Sequence, residues 1–307
     1  MANFVSVLPQ SSYSNKITQD GVDFIRQICT VGGQNLLNGK NSYPLPYTNP
    51  SINKVWSCNI TNPFDNNKII KTSTDLIDAL IFWFNKYAEM YGLDANVIAA
   101  QAYVESNYKM WNYAGSSSIN GSQSTASGIN QFTMLTIYDV VVANNYETIK
   151  MTPDEISKII INLKDSNNKD SYNVASKTST NAWHNRPILH QNVINNPDVM
   201  IKAQCRYLKH IANKCNSLTS TTLFGYSRGP GYALKTYTDS IQTCANNTKN
   251  NPNYLKEGVD YVFKIFNILG NKNNNIKYYF GYDDKMGNTS KNLKLNQSFD
   301  SFNANLA

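Results

Sequence analysis

The stretch that most constrains this chain runs from Asp94 to Phe132, opening DANVIAAQAYVESNY and closing STASGINQF. Gly92 stands just ahead of it, and Asp94 is suited to accept a free backbone N–H at a helix start. Val97, Ala100, Gln101 and Val104 recur at helical spacing, while Ile98, Gln101 or Ala102, and Glu105 share the adjoining face. The segment therefore predicts a largely apolar helix with one carboxylate, Glu105, at its end. Ala102, Tyr103 and Val104 are placed to shield it from water. Desolvation raises a carboxyl pKa and holds the group protonated near neutrality, as a general acid requires. Taken alone, a glutamate at a helix end is more often an ordinary surface residue; three further motifs downstream of Glu105 shift the balance.

A Gly/Ser/Thr-rich segment from Gly115 to Gly128 leads into Gly128-Ile129-Asn130-Gln131-Phe132. After a long insertion, a helical pattern runs from Asp198 through Tyr207-Leu208, and then comes Gly225-Tyr226-Ser227-Arg228-Gly229-Pro230-Gly231. In this order the four pieces resemble the catalytic domain of soluble-type lytic transglycosylases, relatives of goose-type lysozyme. The family's motifs are Glu-Ser at a helix end, Gly-Leu-Met-Gln, an Asn-Ile…Gly…Tyr-Leu helix and Ala-Tyr-Asn-Ala-Gly-Pro-Gly. Each motif is weak by itself; four in order make a specific pattern over about residues 73–240. Asn130 stands for the family's Met, and Ser227-Arg228 for its Asn-Ala, departures that bear on substrate contacts more than on the acid.

The resemblance implies a mainly α, lysozyme-like domain that cleaves the β-1,4 bond between N-acetylmuramic acid and N-acetylglucosamine in peptidoglycan. It implies Glu105 as acid and then base, with the Tyr226 hydroxyl orienting it. Ser106, Gly128, Ile129, Asn130, Gln131, Tyr207 and Ser227 are the implied substrate contacts. No cofactor or metal is implied. Between Glu105 and Asp139 there is no Asp or Glu, so the second carboxylate of a lysozyme-type pair is not supplied locally. Attack by the sugar's own C6 hydroxyl, giving a 1,6-anhydro product, is the economical route. A hydrolase on the same fold, using Asp139 or a carboxylate of the insertion, and a non-catalytic glycan-binding component are the competing classes.

The 28 Lys and Arg against 21 Asp and Glu leave a formal net charge of +7, which favours an anionic partner. Peptidoglycan fits that; no Lys/Arg block or nucleic-acid reader motif is present, so nucleic acid is not the expected partner. No apolar run approaches the roughly 20 residues of a membrane span. MANFVSVLPQ is too short in its apolar run for a signal peptide. Together with the Asn/Lys/Ile-rich composition, this suggests a phage protein made in the cytoplasm and carried in the virion. The 5 cysteines form no C-x-x-C and are an odd number, so free thiols are expected. Cys205 and Cys215 on one helix would lie about 15 Å apart, beyond disulfide reach. His184, His190 and His210 show no metal-ligand spacing.

In chain order, 1–72 reads as an irregular extension with a short helix near Asp20–Thr30; Pro44, Pro46, Pro50 and Pro63 argue against a long helix there. Ser73 or Thr74 would cap a helix with the stripe Leu76, Leu80, Trp83, Tyr87 and Tyr91, ended by Gly92. Thr133 to Asn144 reads as a further helix. The insertion, about 140–197, holds a helix start at Thr152-Pro153-Asp154-Glu155, a polar loop at 167–179, and Trp183 to Gln191, which either lines the groove or anchors the loop. Segment 241–307 carries an amphipathic helix, Tyr254 to Leu269, an expected strand at Ile276–Tyr282 and a polar tail. Both end segments are expected to dock on virion partners.

Overall fold

A computed structural model of the chain describes residues 16–43, 52–115, 125–142, 146–160, 180–215, 219–247 and 252–269. The protein is mainly helical. Its central element is α3 (Ala95–Ser106), in which Ala95, Val97, Ile98, Ala99, Ala100, Gln101 and Ala102 are all buried. A helix without a solvent face over most of its length is a core helix. Its small alanines let neighbours come close. α2 (Ser73–Tyr91) and α10 (Pro252–Ile268) pack against it, and α7 (Pro197–Lys214) meets it through Gln204.

The helix ends follow local chemistry. Asp94 accepts the Asn96 N–H at 2.8 Å. Gly92 closes α2 in the left-handed region at φ 62°, where glycine carries no Cβ penalty. Thr72 caps α2, one residue ahead of the expected Ser73 or Thr74: its backbone is extended and its hydroxyl accepts from Asp75 N–H at 3.1 Å, while Ser73 is already helical. Thr152 and Glu155 make a reciprocal capping box, with Pro153 at the first position of α5 (Pro153–Ile159). α4 (Met134–Val142) begins one residue after the expected start at Thr133, which belongs to a short strand, and residues 143–144 lie outside the described residues. α6 (Thr180–Asn195) leads directly into α7. α8 (Thr219–Arg228) stops at Gly229, φ 105°, and a 3-10 turn, Pro230–Tyr232, follows. α9 (Tyr237–Asn247) precedes α10.

The segment before residue 72 is more regular than its composition suggests. α1 (Gln19–Gly32) packs on α2, a 3-10 turn spans Gly33–Leu36, and two hairpins follow. β1 (Asn38–Tyr43) pairs antiparallel with β2 (Ile52–Ser57), and β3 (Thr61–Asn62) with β4 (Asp65–Ile69). The prolines that exclude a helix are compatible with hairpins, which sequence periodicity in such polar strands does not announce. A third sheet has the order β5 (Tyr113–Gly115), β6 (Thr125–Ser127), β7 (Phe132–Thr133), all antiparallel.

The boundaries expected at 72 and 240 do not divide the packing. One hydrophobic cluster runs from Ile25 and Cys29 of α1 to Val259, Val262 and Phe263 of α10. The apolar stripe expected to dock α10 on a virion partner instead completes this chain's own core against α3 and α8. The expected loop at 167–179, the expected strand at 276–282 and the polar tail lie outside the described residues. Among the described residues no helix is long and apolar enough to cross a membrane, and Cys29, Cys58, Cys205, Cys215 and Cys244 are not joined in disulfides.

Candidate acid–base site at the end of α3

Glu105 sits in the last turn of α3. Asn107 ends the helix at φ 53°, and Tyr108 comes next at φ 58°, two consecutive left-handed residues that turn the chain sharply. Tyr108 folds back so that its hydroxyl donates to Ala99 O at 3.0 Å. The Glu105 side chain is part-buried, with the Tyr261 hydroxyl against it and Tyr226 near enough to feel its charge.

Burial pushes the Glu105 carboxyl up to about 8; the hydrogen bond from Tyr261 and the positive charge of Arg228 oppose the rise without cancelling it. The helix C-terminus, with its exposed carbonyls, also disfavours an anion. At neutral pH Glu105 therefore carries its proton. The direct partner is Tyr261 of α10, whose hydroxyl donates to Oε1. Tyr261 in turn accepts from Gln101 Nε2 at 2.9 Å.

The Tyr226 hydroxyl does not make the bond expected of it. It donates to the backbone carbonyl of Asn130 at 3.2 Å. Its ring lies parallel to Tyr261, interplanar angle 2° and centroids 6.3 Å apart. Two stacked tyrosines thus stand beside the acid, and the one 156 residues away in sequence reaches it. Sequence reasoning missed Tyr261; the available signal was a tyrosine flanking the stripe Leu255, Val259 and Val262.

The other expected site residues are engaged within the protein. Ser106 is buried, its hydroxyl bonded back to Ala102 O at 3.1 Å. Gly128 to Gln131 form the β6–β7 turn. Gly128 takes φ 72°, and a Cβ there would meet Val193 Cγ1 at 2.6 Å, so glycine is required on both counts. Ile129 and Asn130 are buried, and Asn130 Nδ2 donates to Met200 O. Gln131, at φ 49°, donates to Asn112 O at 3.1 Å and Gly128 O at 2.7 Å. Tyr207 is buried between Phe132, Tyr226 and Tyr146. Ser227 Oγ accepts from Arg228 Nε at 3.1 Å. Ser106, Ile129, Asn130 and Tyr207 are all buried in the protein.

Arg228 crosses α10 at Gly258, where a Cβ would meet its Cγ at 2.8 Å. Its guanidinium donates to Glu257 Oε2 at 2.8 Å and Tyr254 O at 3.1 Å and lies over the Tyr254 ring, 4.4 Å from the centroid. At the small sheet, buried His190 of α6 joins Ser127 Oγ through Nδ1 and Trp111 O through Nε2 at 3.1 Å. Nε2 facing a carbonyl must donate, so in the neutral ring Nδ1 accepts from Ser127. Trp56 and Tyr113 pack edge-on against its ring. This Ser–His pair is a structural clasp without solvent access. Gln191 donates to Ser57 O at 3.0 Å, anchoring α6 to β2; the Trp183 side chain lies outside the described residues. A cavity of about 440 Å³ opens between the β3–β4 hairpin, α2 and the start of α7, lined by Phe82, Trp83, Lys86, Tyr87 and Asp198 among others. It contains no residue of the Glu105 cluster, and volume alone does not move the chemistry there. Among the described residues no group of three His, Cys, Asp or Glu stands together as a metal site.

Comparison with protein-family models, with curated proteins and with solved structures finds no match to this chain. The functional reading therefore rests on the four short motifs and on the environment of Glu105.

Proposed function

We propose that this chain is a lysozyme-like enzyme that cleaves the β-1,4 MurNAc–GlcNAc bond of peptidoglycan without water, as a lytic transglycosylase. The observation that carries the reading is Glu105 itself: a carboxyl at a helix end, kept protonated by burial at neutral pH and held by a tyrosine. Among the described residues the charge acting on it is that of Arg228, and no second carboxylate perturbs it. A single acid suits a reaction that needs one group twice. Glu105 gives its proton to the glycosidic oxygen as the C1–O bond breaks, and the substrate's acetamido group stabilises C1. The Glu105 carboxylate then takes the proton of the C6 hydroxyl as O6 bonds to C1. The enzyme ends in its starting protonation state, and the nucleophile is intramolecular, which supplies a high effective concentration.

The net charge of +7 suits an anionic wall, and we place the protein in a phage particle that opens the host wall. The test is digestion of purified sacculi with mass spectrometry of the fragments. The expected fragments end in 1,6-anhydro-muramic acid, one water lighter than hydrolytic ones, and Glu105→Gln lowers their rate of release at least about a hundredfold. Reducing ends from the first time point would make it a hydrolase instead. No cleavage by the wild-type protein would leave a wall-binding component.

A further inference from the structure

Behind Glu105 lies a line of neutral polar groups that the proposed reaction does not by itself require. Gln204 of α7 donates through Nε2 to Gln101 Oε1 at 2.7 Å. Gln101 donates through Nε2 to the Tyr261 hydroxyl at 2.9 Å. Tyr261 donates to Glu105 Oε1. Both glutamines are fully buried. Gln204 and Gln101 sit on different helices and Tyr261 on a third, so the line ties α7, α3 and α10 together at the acid.

We propose that Gln204 and Gln101 are positioning residues that fix the direction of the Tyr261 hydrogen bond, so that the transferable proton of Glu105 resides on Oε2. This rests on the reading of Glu105 as the acid. A run of amides and a hydroxyl can point either way. Reversed, Gln101 would present its oxygen to Tyr261, the tyrosine hydroxyl would donate inward, and its oxygen would accept the proton of Glu105. The acid proton would then be held inside the protein on Oε1. The direction in which Gln204 donates is selected at the far end. Gln204 Nε2 also faces the backbone carbonyl of Ile98, at 3.4 Å. Turning that amide would set two oxygens against each other. The direction is kept although it leaves Gln204 Oε1 buried without a hydrogen-bond partner. Tyr261 has its acceptor side occupied by Gln101 and must donate to Glu105. Oε1 then serves as an acceptor, and Oε2, which makes no hydrogen bond among the described residues, is left to carry the proton towards a substrate.

The ionisable groups facing Glu105 are Arg228 and Tyr226 of α8 and Tyr261 of α10. Both tyrosines are pushed well above their usual range by burial, and further by the charge of Glu105, so they stay neutral throughout its titration. The glutamines add no charge; they act only through direction.

The experiment is an NMR titration of the full chain labelled with ¹³C-carboxyl glutamate and ¹⁵N-side-chain glutamine. It needs no substrate. The side-chain amides of Gln101 and Gln204 should shift with the same midpoint as the Glu105 carboxyl. In Gln101→Met the Tyr261 proton is released from its direction, the ionised acid is less well solvated, and the midpoint should rise by about one unit. Gln204→Met should raise it by less. Amides that do not follow Glu105 in the wild-type protein overturn the proposal whatever the variants do. So does a folded Gln101→Met with an unchanged midpoint, which would return Gln101 to plain packing. Sacculus digestion is scored separately: wild-type protein that titrates as described but releases no fragments keeps the relay and sinks the proposed reaction.

Discussion

Replacing Glu105 by glutamine tests the electrostatics of the site without reference to any substrate. The carboxyl has a usual value of 4.5 and is pushed up to about 8 in the folded chain by burial. Below pH 4.5 both states hold the proton and the group costs no stability. Between there and about pH 8 the unfolded chain binds fewer protons than the folded one, so stability falls as pH rises, by at most about 1.4 kcal/mol per pH unit. Above that window the loss is complete, with a ceiling of about 5 kcal/mol. Glu105 is only part-buried, and solvent screening brings the expected loss to roughly 2–4 kcal/mol. Glutamine keeps the shape, still accepts from Tyr261 through Oε1, and does not ionise. Urea unfolding of both proteins, followed by circular dichroism at about pH 5 and about pH 9, should show the variant gaining that much on the wild type between the two. A difference that is the same at both values would refute the claim that Glu105 is held protonated by burial.

Three further outcomes are expected. Tyr261→Phe removes a bond that favours the ionised acid, so it should raise the Glu105 midpoint and lower glycan cleavage roughly ten- to a hundredfold; Tyr226→Phe, which loses a bond to the Asn130 carbonyl, should cost about 1 kcal/mol of stability in denaturation and leave that midpoint in place. Lys202→Met strands Glu155, to which the buried ammonium bonds at 2.6 and 2.8 Å, and should lower stability in urea titrations by about 3 kcal/mol. Deleting α10 removes Val259, Val262, Phe263 and Ile265 from the core; at about 1.5–3 kcal/mol each this rivals a whole domain's stability of roughly 5–15 kcal/mol, so the shortened chain should show no cooperative thermal transition, whereas a docking helix would come away without that loss.

Helix boundaries were legible because their signals are local. The Asp94 cap, the left-handed Gly92, the Thr152–Glu155 box and the break at Gly229 each depend on residues a few positions apart. The position of Glu105 on α3 followed from the same periodicity. Less legible was whatever depends on which helix meets which. An amphipathic stripe such as Leu255, Val259 and Val262 says that a face is to be covered, and is silent on whether its own core or another protein covers it. Tyr226 and Tyr261 stack in parallel beside the acid, and only the spacing of α8 and α10 decides whose hydroxyl reaches it. The β1–β2 hairpin has strands NGKNSY and INKVWS, too polar for an alternating pattern to stand out.

The choice of amides behind Glu105 has an electrostatic reason. An acid that must stay protonated at neutral pH needs its surroundings organised by groups without charge. A lysine in place of Gln101, even about 4 Å from the carboxylate at an effective dielectric near 20, would favour the ionised form by about 4 kcal/mol. That is about three pH units, enough to return Glu105 to the ordinary carboxylate range and leave it ionised at pH 7. The nearby cation that the site does hold, Arg228, is partly neutralised by Glu257 at 2.8 Å, and its pull on Glu105 is smaller than the rise caused by burial. Two buried glutamines and a tyrosine orient the carboxyl by dipoles alone. They leave burial as the main influence on its protonation, so that losing the Gln101 dipole moves the midpoint by about one unit where a lysine would move it by about three.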